Sequence, residues 1–293
     1  MNGILIINKP ANWTSHDVIA KLRGMLKQKR IGHGGTLDPQ ATGVLPVFIG
    51  RATRAAEFSE NAEKEYTAEF KLGITTDTQD ITGNIINEKV VTVTVNDLSA
   101  ILPNFTGPQN QVPPMYSAIK KDGKKLYELA RKGIEIPREP KKITIHKLEL
   151  LNIQNLEHKY SLRIVCSKGT YIRTLCHDIG NALGCGATLT ALHRTRAGVY
   201  SIESAFTLEE TAKYISTDSV NEILLPTDTI FSDHPPITIT DSETRKAKNG
   251  ALCSAPGNPE NGIYRVYAPN GEFLLLGEIK NNQIKTIKSF FEV

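Results

Sequence analysis

Residues 64–73, K-E-Y-T-A-E-F-K-L-G, alternate strictly along the chain. Tyr66, Ala68, Phe70 and Leu72 fall on one side, and Glu65, Thr67, Glu69 and Lys71 on the other. A period of two describes a strand with one face in a core and one in water, the usual arrangement of an antiparallel sheet. Upstream, Gly3 to Asn8 reads as a short apolar strand closed by Lys9-Pro10. Thr14 and Ser15 are helix-capping types, followed by Val18, Ile19, Leu22, Met25 and Leu26 at helical spacing. Val44 to Ile49 resembles a buried strand. Downstream, strands are predicted over 85–95, 143–151 and 160–166, and short helices over 96–102 and 124–132. An amphipathic helix is expected from Thr170, with Ile172, Leu175, Ile179 and Leu183 facing inward, and another over 207–225. The fold class is therefore mixed α/β (α+β).

The chain has 293 residues, enough for about two domains at roughly 100–200 residues each. Asp233-His234-Pro235-Pro236 reads as a linker, since paired prolines resist helix and central strand alike. Beyond it come a capped helix, Asp241 to Asn249, stopped by Gly250, and three apolar strands. Asn270-Gly271 and Asn281-Asn282 are the turn signals between those strands. The expected division is 1–232 and 236–293, the second a small β-rich module.

Hydrophobic residues make up 40% and charged residues 23%, values that exclude global disorder. No apolar run approaches the roughly 20 residues that span a bilayer. The apolar stretch of M-N-G-I-L-I-I-N-K-P is too short for a signal peptide, so a cytoplasmic protein is expected. Cys166, Cys176, Cys185 and Cys253 form no C-x-x-C pair, and His177 beside Cys176 has no second ligand pair at finger spacing. They are read as buried thiols, with no metal.

Net charge is +4, unevenly spread: residues 1–60 carry +4, 61–115 carry −4, 116–173 carry +8, and 174–293 carry −4. Two basic zones on one face would neutralise phosphates, although a merely solvated surface has the same composition.

The strongest local signal is G-H-G-G-T-L-D-P-Q-A-T-G, residues 32–43. Its glycines suit tight turns and close approach of backbone to a ligand. No G-K-[ST] closes it as a phosphate loop, and the G-x-G-x-x-G spacing of a dinucleotide site is missing. What remains is the carboxylate of Asp38 before Pro39, with His33 close by; an Asx-turn would use the same aspartate. The second signal is S-K-G-T-Y-I-R-T, residues 167–174, where Thr170 can cap a helix that carries Tyr171 and Arg173 in its first turn. A cation there opposes the helix dipole and calls for an anionic partner, whether functional or a surface carboxylate.

Together with P-P-M-Y-S-A-I-K and L-H-R-T-R-A-G, these motifs resemble, in order over most of residues 1–200, the bacterial tRNA pseudouridine-55 synthases. Gly34 and Thr36 depart from the residues expected in some relatives. The resemblance implies a pseudouridine synthase-like catalytic domain with a central, mostly antiparallel sheet, and a small C-terminal PUA-like RNA-binding domain. It implies isomerisation of one T-loop uridine, flipped into a pocket, with no metal, cofactor or energy source. Asp38 would be the nucleophile, attacking ribose or base, and Arg173 would keep it ionised. Tyr66 would stack on the base and take the C5 proton, and Tyr171 and Leu192 would line the pocket. His33 would fill the space the nucleotide leaves, while Lys9 would hold phosphate or support the K-P turn. The implied partner is tRNA, through its T-stem-loop and acceptor stem, with no membrane and no obligate protein partner. An RNA-folding factor, or a synthase acting on another uridine, would use the same basic face.

Overall fold

The computed structural model describes residues 1–154 and 157–291. It divides into two compact units, one of residues 1–39, 43–61 and 197–293, the other of residues 40–42 and 62–196.

In the first unit, strand Gly3–Lys9 pairs antiparallel with Thr42–Ile49, Ile4 opposite Phe48 and Asn8 opposite Val44. Ile31–His33, inside what the sequence presents as a glycine loop, also pairs antiparallel with Thr42–Ile49. Helix Ser15–Leu26 starts at Thr14, whose hydroxyl accepts from Asp17 N–H while the Asp17 carboxylate accepts from Thr14 N–H. That reciprocal cap satisfies two end donors. Val18, Ile19 and Leu22 then pack with Leu5, Ile7, Leu45 and Val47 in a dry cluster that Leu208 and Ile223 complete. Ile4 and Ile6, which point the other way as a period of two requires, join Phe48, Phe231, Leu276 and Phe290.

Residues 236–291 carry their own five-stranded sheet and core, built on Ile239, Val266, Leu274, Leu275 and Ile279. The expected helix is Asp241–Lys248, and the three expected strands are Gly262–Tyr267, Phe273–Lys280 and Gln283–Ser289. Asn281 and Asn282 adopt φ of 49° and 63°, the conformation a two-residue hairpin turn needs. Pro236 begins a short strand, Pro236–Thr238, pairing parallel with Gly262–Tyr267. That strand lies at the sheet edge, where a missing N–H costs little. The tail also contributes to the other core, because Leu276 and Phe290 are 2% and 5% exposed within the cluster of Ile4 and Phe231.

In the second unit, Lys64–Leu72 shows the alternation its sequence predicts, with Tyr66, Ala68, Phe70 and Leu72 buried. It pairs antiparallel with Lys159–Cys166, Tyr66 facing Ile164, and that strand pairs with Lys141–Gln154. The mixed α/β class is as expected, and except for Pro236–Thr238 every register given above is antiparallel.

Several expectations need correction. Of 85–95 only Ile85–Glu88 is strand, fully exposed in a two-stranded hairpin. The helix expected over 124–132 is Leu126–Ala130, and that over 207–225 stops at Ser216, after which Asp218 turns to φ 56°. Helix Ile172–Ala182 is capped at Tyr171, not Thr170, whose hydroxyl donates instead to Ser167 O at 2.9 Å. Strand Ala187–Ala197 was not anticipated. All four cysteines are free and buried. Among the described residues no helix is long and apolar enough to cross a membrane.

Candidate active site

The first unit holds Asp38 by its neighbours. Lys9 closes strand Gly3–Lys9 and is 0% exposed. Its ammonium donates to three carbonyls, Trp13 O at 2.6 Å, Pro10 O at 2.8 Å and Pro39 O at 3.1 Å. These contacts tie the turn at Pro10 to the backbone next to Asp38. On the other side of Asp38, the hydroxyl of Ser15 bonds both N–H and C=O of Leu37.

Gly34 belongs to this packing and is more than a tolerated departure. A Cβ there would overlap Ser59 Cβ and Oγ, and the Ser59 hydroxyl donates to Gly34 O at 3.1 Å. His33 ends strand Ile31–His33, half-buried, with the exposed ring of His16 edge-on at 6.5 Å between centroids. His16 carried no sequence signal beyond its position on the first helix.

The second unit holds the other four residues of the sequence-derived set. Tyr66 is 8% exposed on the apolar face of its strand. Behind it, Glu65 accepts from Arg163 at 3.0 Å and Thr195 at 3.0 Å, and Arg163 holds its carboxyl below the usual range. Tyr171, at the helix start, is gripped through its backbone. Gln111 Oε1 accepts from Tyr171 N–H at 2.8 Å and Gln111 Nε2 donates to Tyr171 O at 3.0 Å. Leu192 is half-buried on Ala187–Ala197. Next to it, the His193 ring lies 2.8 Å from the Thr42 hydroxyl, its pKa lowered by burial. Arg194, one residue on, is 1% exposed; it lies inside the L-H-R-T-R-A-G motif, which gave no sign of its burial.

Arg173 is the second residue of helix Ile172–Ala182 and its side chain is 7% exposed. Its guanidinium donates to Thr78 O at 3.1 Å, to Tyr116 O at 2.9 Å and to Asp80 at 3.3 Å. The dipole argument asked for an anionic partner, and Asp80 is one that the sequence reading did not single out. Asp80 also accepts from Thr78 Oγ1 at 2.9 Å and from N and Oγ1 of Thr82. The only sequence sign of this knot was the turn-rich run T-D-T-Q-D-I-T-G-N, residues 76–84.

The basic zone includes the hairpin of exposed Lys120, Lys121 and Lys124 with half-buried Lys125, and Lys125 and Arg131 lie over the Tyr127 ring at 5.4 and 5.2 Å. Among the described residues no group of three or more acidic, histidine or cysteine side chains could hold a metal.

Comparison with known proteins agrees along the chain. Residues 23–172 match the N-terminal domain model of TruB family pseudouridylate synthases, and residues 173–232 match the C-terminal domain model of tRNA pseudouridylate synthase B. The tRNA pseudouridine synthase B of Clostridium kluyveri is 42% identical over 99% of this chain and 100% of its own. That of Syntrophomonas wolfei is 44% identical over 98% and 96%. Among solved structures, a Cbf5-Nop10-Gar1 complex has a chain matching with a TM-score of 0.76 and 26% identity, over 99% of this chain and 85% of that one.

Proposed function

Because the chain belongs to the TruB family of pseudouridylate synthases, we propose that it isomerises uridine 55 in the T-loop of tRNA to pseudouridine. The observation that carries the reading at the level of residues is Asp38, a carboxylate whose two neighbouring residues are both anchored by buried side chains.

In the reaction the N1–C1′ bond breaks, a C5–C1′ bond forms, C5 loses its hydrogen and N1 gains one, so composition is unchanged and the balance needs no oxidant or reductant. The base reaches the site by flipping out of the folded loop, at a cost of a few kcal/mol. Asp38 supplies the nucleophile, and Arg173 favours its ionised form. The Tyr66 ring stacks on the base while its phenol oxygen receives the C5 proton and passes its own to solvent, with Tyr171 and Leu192 against the same base. His33 occupies the place the nucleotide vacates. Backbone anchoring by Lys9 and Gln111 suits a site that must be preorganised.

The lysine hairpin 120–125 supplies phosphate contacts for a substrate recognised by shape. Residues 236–293, read as a PUA-like module with a net charge of only +1, contact the acceptor stem. Such an enzyme works in the cytoplasm, where its tRNA is.

The test is release of tritium from a T-stem-loop transcript labelled at C5 of its uridines, with the product mapped by position. One equivalent released, with pseudouridine at position 55, is expected. No release, or modification elsewhere, would refute the reading.

A further inference from the structure

The hydroxyl of Ser15 serves something other than its helix. Thr14 and Asp17 already cap the first turn. Ser15, the first helical residue, is 2% exposed, and its side chain reaches a residue 22 positions away. Oγ accepts from Leu37 N–H at 2.9 Å and donates to Leu37 C=O at 3.3 Å. One hydroxyl bonded to both ends of one residue restrains φ and ψ of that residue together. Leu37 is 3% exposed, so water is no substitute for either bond. With Lys9 holding Pro39 O, Asp38 hangs between two anchored residues.

From this geometry we infer that Ser15 is a positioning residue for the nucleophile, setting the backbone from which the Asp38 carboxylate is aimed. The inference rests on the function proposed above. Ser15 touches no reacting atom; it acts through Leu37. Without the hydroxyl, two buried backbone groups lose their partner and the loop shifts to find others. A displacement of about 1 Å in a reacting group slows a reaction by about 100-fold. Binding of tRNA, carried by surface cations, does not depend on it.

The experiment compares Ser15→Ala, Ser15→Cys and Ser15→Thr in the full chain, by tritium release across tRNA concentrations and by thermal melting. Ser15→Ala should lower turnover at saturation by roughly 10- to 100-fold, with KM within about threefold of wild type. Ser15→Thr keeps the hydroxyl and should recover most of the rate. If its added methyl prevents folding, Ser15→Cys, a weak donor of similar size, should fall between Ala and wild type. Turnover of Ser15→Ala within about threefold of wild type would overturn the inference. So would a loss shared equally by KM and turnover in folded variants, with neither Thr nor Cys restoring rate, since that marks general damage. A wild-type chain without activity would instead overturn the proposed function, and this inference with it.

Discussion

Replacing Arg173 by Met separates two tasks of one guanidinium. The side chain is 7% exposed and donates to Thr78 O, Tyr116 O and the Asp80 carboxylate. Met fills similar space and donates nothing. Hydrogen bonds to charged groups are worth about 1.5–3 kcal/mol, and breaking a buried ion pair costs about 3–5 kcal/mol. Asp80, 16% exposed, keeps donors from Thr78 and Thr82. Those donors put the loss at the lower end, about 3 kcal/mol. With a urea m-value of about 3 kcal/mol/M, the unfolding midpoint should fall by about 1 M. Arg173→Lys should recover part of this, restoring charge without the planar fork. Adding Asp80→Asn to the Met variant should cost less than the two single losses combined, by about 1–2 kcal/mol. Turnover of the folded Met variant should collapse further than lost stability explains. A wild-type midpoint in Arg173→Met would refute the structural reasoning, and near-normal turnover at neutral pH would refute the catalytic role proposed for Arg173.

Asp38→Asn should abolish tritium release while tRNA binding, measured by filter retention, stays within a few-fold, because the amide keeps shape but not nucleophilic charge. Asp178 lies on helix Ile172–Ala182, and burial pushes its carboxyl from 3.8 up to about 6. With the folded value raised, this carboxyl is harmless to stability below pH 4 and costs progressively more up to about pH 6. Asp178→Asn should therefore stabilise the protein by roughly 1–3 kcal/mol at pH 8 and by nothing below pH 4, and a gain independent of pH in urea titrations would contradict this. Deleting residues 236–293 uncovers the cluster of Ile4, Ile6, Phe48 and Phe231, so the truncated chain should melt far lower or aggregate. Phe290→Ala alone should cost about 3 kcal/mol or more, and a truncation melting like the full chain would show that the shared cluster contributes little.

Elements were legible where one local rule acted alone. Lys64–Leu72 alternates because one face is wet, and the Asn281-Asn282 turn needs two residues that tolerate positive φ. Ala187–Ala197 was not legible, since its burial does not alternate cleanly and a charged residue, Arg194, sits inside. Thr170 looked like the better cap by residue type, but its hydroxyl is used by Ser167 O. The site was legible as motifs and not as contacts. Nothing local to Asp38 or Arg173 announces Ser15 or Asp80, because these pairings are tertiary and close over 22 and 93 residues.

The division of the chain into units also sets an order for its synthesis. The second unit is almost one uninterrupted stretch, residues 62–196, and can collapse as soon as that stretch has left the ribosome. The first unit is assembled from three pieces, and its opening strand, Gly3–Lys9, exchanges backbone hydrogen bonds with Phe206 and Leu225 and buries Ile4 with Leu276 and Phe290. Strand Gly3–Lys9 must therefore wait for residues made far later in the chain, Leu276 and Phe290 among them. Until then its apolar run is an exposed edge, a natural point of capture for a nascent-chain chaperone and the segment most at risk when elongation stalls.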